Sequence, residues 1–95
     1  MMTSKQRAHL RSLAAGADTI IQIGKGGITD NVTAQVNSAL LARELVKGRV
    51  LENSMLTARE ACDALSEACG AEQVQVIGSK FVLYKRNPKE PKIKP

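Results

Sequence analysis

Short runs of β-branched residues alternate with segments of helical period along this chain, and this alternation constrains the fold more than any single motif. Three segments repeat their apolar residues at helical spacing, and runs rich in isoleucine and valine lie between and after them. The patterns predict helices over about 3–15, from 29 to just before 45 and over 57–70, and strands over 19–23, 45–51, 74–77 and 81–84. The resulting order, αβαβαββ, predicts a two-layer α/β domain with a mixed four-stranded sheet that ends in a hairpin.

The handedness of the connections predicts which face of the sheet each helix covers. Two right-handed crossovers that step in one direction place the second and third helices on the same face. The first helix is an additional element: Ile20, Phe81 and Leu83 need cover as well as Ile21, Ile23 and Val82, but the sequence does not settle which face this helix shelters. Gly48 interrupts the second strand and predicts either a bulge or a close packing contact there.

Length and composition indicate one domain followed by a tail. The 95 residues are 43% hydrophobic, which suffices for one core and is too little for two. We assign the domain to residues 1–86. Residues 87–95 contain three prolines and alternating charges, so we expect a mobile basic tail. No apolar run approaches the ~20 residues of a membrane span, and the N-terminus lacks a signal-peptide pattern, so a cytoplasmic location is expected.

The residue types that usually perform catalysis or bind metals are sparse in this sequence. Cys62 and Cys69 share one face of a predicted helix and lie about 10 Å apart along its axis, which excludes a disulfide between them and indicates core positions. His9 is the single histidine, and no cysteine or carboxylate has the spacing to build a metal site around it. We therefore expect no catalytic residue, no metal site and no cofactor.

Charged residues are distributed unevenly around a formal net charge of +5. Basic residues gather at the two ends of the chain and on one face of the second strand. Acids gather on the third predicted helix and its exit, at Glu60, Asp63, Glu67 and Glu72. A polyanion should therefore contact the opposite flank of the domain. Glu44 and Glu52 flank the second strand without a partnering base, and we expect them, like Asp63, to be solvated charges.

A glycine-rich turn, Gly24-Lys25-Gly26-Gly27, lies between the first strand and the second helix. Glycines allow a sugar-phosphate to approach the backbone closely, and Lys25 adds a mobile positive charge beside a helix N-terminus. A P-loop would need Ser or Thr where Gly26 stands, and a dinucleotide fingerprint would need glycine at Thr29, so ATP and NAD are not expected. Taken alone, the motif favours a purely structural role, because glycine-rich turns commonly join strands to helices for steric reasons.

Three blocks of sequence, in a fixed order, resemble a known family. They are Gln22–Thr29, Arg43–Lys47, and Val74–Gly78 leading to Val82–Lys85. Together they resemble the CRM domain, specifically the free-standing YhbY-like proteins of bacteria, over nearly the whole chain. The resemblance implies a fold similar to the C-terminal domain of translation initiation factor three and related to KH domains through the G-x-x-G loop. Gly48 departs from the pattern, because relatives usually carry an apolar β-branched residue there, and this puts the regularity of the second strand in question.

The resemblance implies binding to structured RNA, chiefly precursors of the large ribosomal subunit. We expect a monomeric, non-enzymatic RNA-binding protein that recognises phosphate and shape, because its two aromatic residues, Phe81 and Tyr84, are expected in the core or at a sheet edge. The candidate RNA-binding residues are Gly24, Lys25, Gly26, Gly27, Lys5, Arg7, Arg11, Lys47 and Arg49. Two alternatives stay open: a protein-binding adapter whose basic ends dock an acidic partner, and an enzyme whose site the sequence does not reveal.

Overall fold

A mixed sheet with helices on both faces forms the body of the protein. The computed structural model describes residues 2–89, 91 and 93. The elements follow the order α1 (Ser4–Ala15), β1 (Thr19–Ile23), α2 (Asp30–Arg43), β2 (Leu45–Val50), α3 (Ala58–Cys69), β3 (Glu72–Ile77) and β4 (Lys80–Tyr84). The strand order is β1-β2-β4-β3, with β1 parallel to β2 and β4 antiparallel to both of its neighbours. The predicted αβαβαββ fold with a mixed four-stranded sheet is confirmed.

Side-chain caps define where the helices begin. Thr3 and Gln6 form a capping box at α1, and Thr57 and Glu60 form a second one at α3. Gly70 ends α3 in the left-handed conformation that favours glycine. The helices contain 12, 14 and 12 residues. None of those in the described part of the chain is long and apolar enough to cross a membrane.

The two faces of the sheet bury separate apolar clusters. The larger cluster joins α2 and α3 to the sheet residues Ile21, Ile23, Val46, Val50, Phe81 and Leu83. The smaller cluster packs Leu10 and Ala14 of α1 against Val74, Val82 and Tyr84. Helices α2 and α3 therefore share one face, as the crossover rule predicted. Helix α1 covers part of the other face, which answers a question that the sequence left open. The expectation that Phe81 and Tyr84 are buried is also confirmed.

Gly48 marks a close packing contact and not a bulge. A Cβ built on Gly48 would lie 2.3 Å from Cζ of Phe81, so the ring occupies the space that any other side chain would need. The strand β2 is continuous through this position. The register shifts instead occur between Thr19 and Ile21 in β1 and between Gln73 and Gln75 in β3. The ring of Phe81, from the neighbouring strand β4, thus fills the place that a side chain at position 48 would occupy.

The two cysteines are buried on α3, as predicted. Burial raises the pKa of the Cys62 thiol to about 11, although the nearby Arg59 guanidinium opposes the shift. Burial likewise raises the pKa of Cys69. Both thiols are therefore protonated at neutral pH and poorly nucleophilic, which agrees with a packing role.

The contact between Gly48 and Phe81 yields a stability prediction. Gly48→Ala should lower the free energy of unfolding by about 1–3 kcal/mol, because the new methyl group overpacks the core. The loss should shrink when Phe81→Leu is also present, as chemical denaturation of both single variants and the double variant will show. Gly16→Ala is the matched control, since a Cβ there meets only the Leu13 carbonyl oxygen at 4.0 Å. Equal losses for Gly48→Ala and Gly16→Ala would contradict this account.

Candidate nucleic-acid interface

The glycine-rich segment forms a tight turn at the end of the sheet where β1 and β2 finish. The Gly27 N–H donates to the Gly24 carbonyl oxygen at 3.1 Å, and the Leu51 N–H donates to the Ile23 carbonyl oxygen at 2.8 Å. The second bond fixes the entry to the turn against the end of β2. Lys25 is exposed at the tip of the turn. Ligands of α/β sheets commonly bind at this carboxyl end of parallel strands.

The fold explains only one of the three glycines in the turn. Gly27 has φ of 68°, a conformation that other residues adopt at a cost. A Cβ at Gly24 or Gly26 would approach its neighbours no closer than 3.8 Å, which is ordinary van der Waals contact. Packing therefore does not require glycine at either position. Their missing side chains leave room for a ligand to approach the backbone of the turn closely.

The N-terminus of α2 contributes less to this anion site than the sequence suggested. The Thr29 side chain accepts a hydrogen bond from the Val32 N–H at 3.2 Å, and its carbonyl oxygen accepts from the Thr33 N–H at 3.0 Å. Asp30 adds a carboxylate in the first turn, which already interacts with the positive end of the helix dipole. If this end of the sheet is to bind phosphate, the turn and Lys25 must therefore supply most of the attraction.

Four basic residues on the α1 side of the sheet form what we call the basic sheet face: Arg11, Lys47, Arg49 and Lys80. Lys47 and Arg49 are two residues apart on β2 and so project from the same face. Arg49 pairs with Lys80 on β4, and also with Gln22 on β1, two residues before the glycine turn. Arg11 lines a cleft of about 300 Å³ together with Lys47 and Lys80. The strand register therefore places Arg49 and Lys80 at the same end of the sheet as the glycine turn.

Arg49 and Lys80 are like charges directly opposite each other on neighbouring strands. Such pairs lie about 4.5–5.5 Å apart at Cβ and are destabilising. In the part of the chain that the structure describes, the one salt bridge joins Arg59 to Asp63, so no carboxylate neutralises this pair. The Nε–H of Arg49 is buried and donates to no acceptor among those residues. The surface around Arg49 and Lys80 is therefore positively charged, and the Arg49 Nε–H is a donor without an acceptor among the described residues.

Lys47 has a structural role that sequence reasoning missed. Its Nζ donates to the carbonyl oxygen of Ala14 at 3.3 Å, in the last turn of α1. That turn carries no basic residue of its own, so Lys47 supplies the positive charge that favours a helix C-terminus. Lys80 was missed altogether, because a single lysine after a turn gives no signal until the strand register is known.

The structure does not bring all the predicted basic residues together. Arg7 lines a separate small cleft with Arg59 and Gln73 along the edge strand β3. Lys5 is exposed in the first turn of α1, six residues or about 9 Å along the helix from Arg11. Of the five predicted cations outside the turn, Arg11, Lys47 and Arg49 thus share one surface, whereas Lys5 and Arg7 lie outside it.

The acidic residues of α3 lie on the other side of the sheet. Glu60, Asp63 and Glu67 are exposed, and α3 packs on the face opposite the basic sheet face. These acids and the basic sheet face therefore lie on opposite sides of the sheet, an arrangement that disfavours a polyanion on the α3 side.

The expectation that the acids beside β2 are solvated is wrong for Glu44. It is 0% exposed and is the one non-glycine residue of the described chain with positive φ, at 64°. Such a conformation costs roughly 1–3 kcal/mol unless its surroundings stabilise it. Its carboxylate accepts hydrogen bonds from the backbone N–H groups of Asn87 and Ile93, each at 2.6 Å. Sequence reasoning missed this role because both partners lie more than 40 residues away. Tail mobility itself stays a prediction.

Comparison with known proteins matches this arrangement to a family. The family model of the CRS1 / YhbY (CRM) domain matches residues 2–85. The chain belongs to the CRM domain family. It is 41% identical over 93 residues to a Bacillus subtilis protein named "Probable RNA-binding protein YqeI", covering 98% of this chain and 97% of the relative. It is 33% identical over 84 residues to a Haemophilus influenzae protein named "RNA-binding protein", covering 88% of this chain and 85% of the relative.

A solved structure supports the same fold for this CRM domain. The solution structure of SAV1595 from Staphylococcus aureus is 47% identical in sequence and matches with a TM-score of 0.75. The match covers 97% of this chain and 100% of that chain. No group of three or more His, Cys, Asp or Glu residues that could hold a metal ion occurs among residues 2–89, 91 and 93.

The two kinds of glycine in the turn of this CRM domain predict different responses to the same substitution. Gly26→Ala should change the free energy of unfolding by no more than about 0.5 kcal/mol, because it makes only ordinary contacts. Gly27→Ala should cost at least about 1 kcal/mol, because alanine must adopt positive φ. Urea denaturation of the two variants measures the difference. A greater loss for Gly26→Ala than for Gly27→Ala would show that the conformation of the turn is described wrongly.

Proposed function

We propose that this CRM domain binds RNA through the glycine turn and the basic sheet face and does not catalyse a reaction. In this proposal it acts in the cytoplasm, in assembly of the large ribosomal subunit. The observation that carries the proposal is the Arg49 and Lys80 pair, which lies at the same end of the sheet as the turn and forms no salt bridge with any acid among the described residues. A like-charge pair without an acidic partner is unfavourable in the free protein and becomes favourable beside phosphates.

The side chains available favour recognition of RNA shape and backbone over base reading. Phe81 and Tyr84, the two aromatic residues, are 1% and 4% exposed. Neither offers a surface on which a base could stack. Lysine, arginine and turn amides contact phosphates and carry no sequence information by themselves. A folded RNA that holds several phosphates in a fixed pattern is therefore the ligand class that this surface suits best.

The names of the relatives support RNA binding, and the likeness to YhbY-like proteins supports the large-subunit target. The same likeness supports a non-enzymatic role, as does the chemistry of the described residues. Both cysteine thiols are buried with raised pKa values, and His9 is exposed on α1. Glu44 already accepts hydrogen bonds from backbone N–H groups.

Charge reversal at the tip of the turn tests the site most simply. Lys25→Glu should lower affinity for structured ribosomal RNA by at least about tenfold, because one attraction to phosphate becomes a repulsion. The thermal midpoint should barely move, since an exposed loop residue changes the free energy of unfolding by no more than about 0.5 kcal/mol. Filter binding at fixed salt and thermal denaturation measure the two quantities.

Arg43→Glu is the matched control for Lys25→Glu. It makes the same change in net charge in the last turn of α2, about 20 Å along the helix from the turn. RNA affinity should fall much less for this variant. A folded Lys25→Glu variant with undiminished RNA binding would remove the turn from the site. A protein partner that stays bound after RNase treatment and to Lys25→Glu would favour the adapter alternative.

The cellular target is tested by crosslinking the protein to RNA in cells and sequencing the bound fragments. We expect fragments of large-subunit ribosomal RNA precursors to dominate the sequences. A library dominated by messenger or transfer RNA would contradict the assembly role while leaving RNA binding itself intact.

A further inference from the structure

Glu44 combines two unfavourable features that a different residue would avoid. Its backbone has φ of 64° at the C-cap of α2, where glycine adopts positive φ without strain. Its side chain is a carboxyl group with 0% exposure, and burial of such a group is unfavourable unless hydrogen bonds satisfy it. Glycine would remove both problems. The carboxylate must therefore make interactions that offset them.

Those interactions hold the segment that follows β4. The Asn87 N–H donates to Oε2 of Glu44 and the Ile93 N–H donates to Oε1, each at 2.6 Å. Hydrogen bonds to an ionised carboxylate are among the strongest in proteins. The Asn87 side chain also donates to the Leu41 carbonyl oxygen at 3.1 Å, and the Lys85 N–H donates to the Glu44 carbonyl oxygen at 2.9 Å. The C-terminal end of α2 thus contacts the tail at several points.

The contact made by Ile93 places this part of the tail on the α1 side of the sheet. Ile93 packs on the smaller apolar cluster beside Met2 and Leu45. Leu45 is two residues before Lys47 on β2 and projects from the same face, about 7 Å away along the strand. Ile93 therefore lies on the α1 side of the sheet, the side that also carries the basic sheet face. By sequence the tail carries Lys89, Lys92 and Lys94 against Glu90.

We propose that Glu44 anchors the tail on the domain at Asn87 and Ile93, and that these two anchors bring the basic residues of the tail within reach of the phosphates of RNA bound at the basic sheet face. The part concerning RNA rests on the proposed function, whereas the anchoring does not. Glu44 is in this account a positioning residue, because it acts on RNA only through the tail.

Anchoring of the tail is tested on the full chain by amide hydrogen exchange. In the native protein the Asn87 and Ile93 amides should exchange at least about tenfold more slowly than in an unfolded peptide. Glu44→Gly removes the carboxylate while suiting the backbone, so the domain should stay folded and both amides should lose their protection. Trypsin should then cleave the bond between Arg86 and Asn87 faster. Glu52→Gly, which removes an exposed acid just beyond the other end of β2, should leave all of these unchanged.

The contribution of the tail to RNA binding is tested by combining substitutions of the tail lysines with substitutions of Glu44. Lys89, Lys92 and Lys94 are changed together to Gln in the native, Glu44→Gly and Glu52→Gly backgrounds. In the native and Glu52→Gly backgrounds this change should flatten the slope of log affinity against log salt by about 1–2, the effect of losing one or two phosphate contacts. In the Glu44→Gly background the slope should change by less than half as much.

The outcomes separate the two proposals. Unprotected amides at Asn87 and Ile93 in the native protein would overturn the anchoring, whatever the protein does with RNA. Equal changes in slope in all three backgrounds would overturn the role of Glu44 in placing the tail charges. Failure of the native protein to bind RNA would overturn the proposed function and with it the role of the tail in binding. Glu44→Gln, which keeps the shape of the side chain, repeats the exchange test if Glu44→Gly does not fold.

Discussion

The sheet has two faces to cover and three helices to cover them with, and the rest of the structure follows from this imbalance. Helices α2 and α3 close one face completely enough to bury Phe81 and Leu83. Helix α1 is alone on the other face, where it packs on β3 and β4 and is joined to β2 by the hydrogen bond from Lys47. It does not cover the end of that face beside the glycine turn. Polar residues occupy this end: Gln22 and Lys80 are exposed, and Arg49 is half-buried between them.

The open part of the face is positive because its cations have few acids nearby. The exposed acids of α3 lie on the opposite face of the sheet, and the Glu44 carboxylate accepts hydrogen bonds from backbone N–H groups of the tail. Lys47 interacts with the C-terminus of α1, whereas Arg49 and Lys80 face each other and form no salt bridge with an acid in the described part of the chain. A surface of this kind attracts a polyanion, and the attraction weakens as salt increases. The glycine turn adds backbone donors at the same end of the sheet.

Local patterns made the fold and the turn predictable from sequence. Thr3 with Gln6 and Thr57 with Glu60 mark helix starts, and the order of elements fixes the crossovers. Lys80 was not predictable, since its position opposite Arg49 depends on the register of β4 against β2. The role of Glu44 was not predictable either, because its partners come from the far end of the chain. The fit of Gly48 against Phe81 could be stated only as one of two alternatives, since pairing of β2 with β4 decides between them.

The most direct test of the central claim is to remove the unpaired charges and measure stability and RNA binding on the same variants. Arg49→Gln, Lys80→Gln and the double variant are compared with the native protein by denaturation and by RNA affinity over a series of salt concentrations. The account predicts that each single variant is as stable as the native protein or more stable, because a repulsion is relieved, while each flattens the slope of log affinity against log salt by roughly 0.7 to 0.9. Variants that lose stability and keep the native slope would show that Arg49 and Lys80 serve the fold and do not bind RNA.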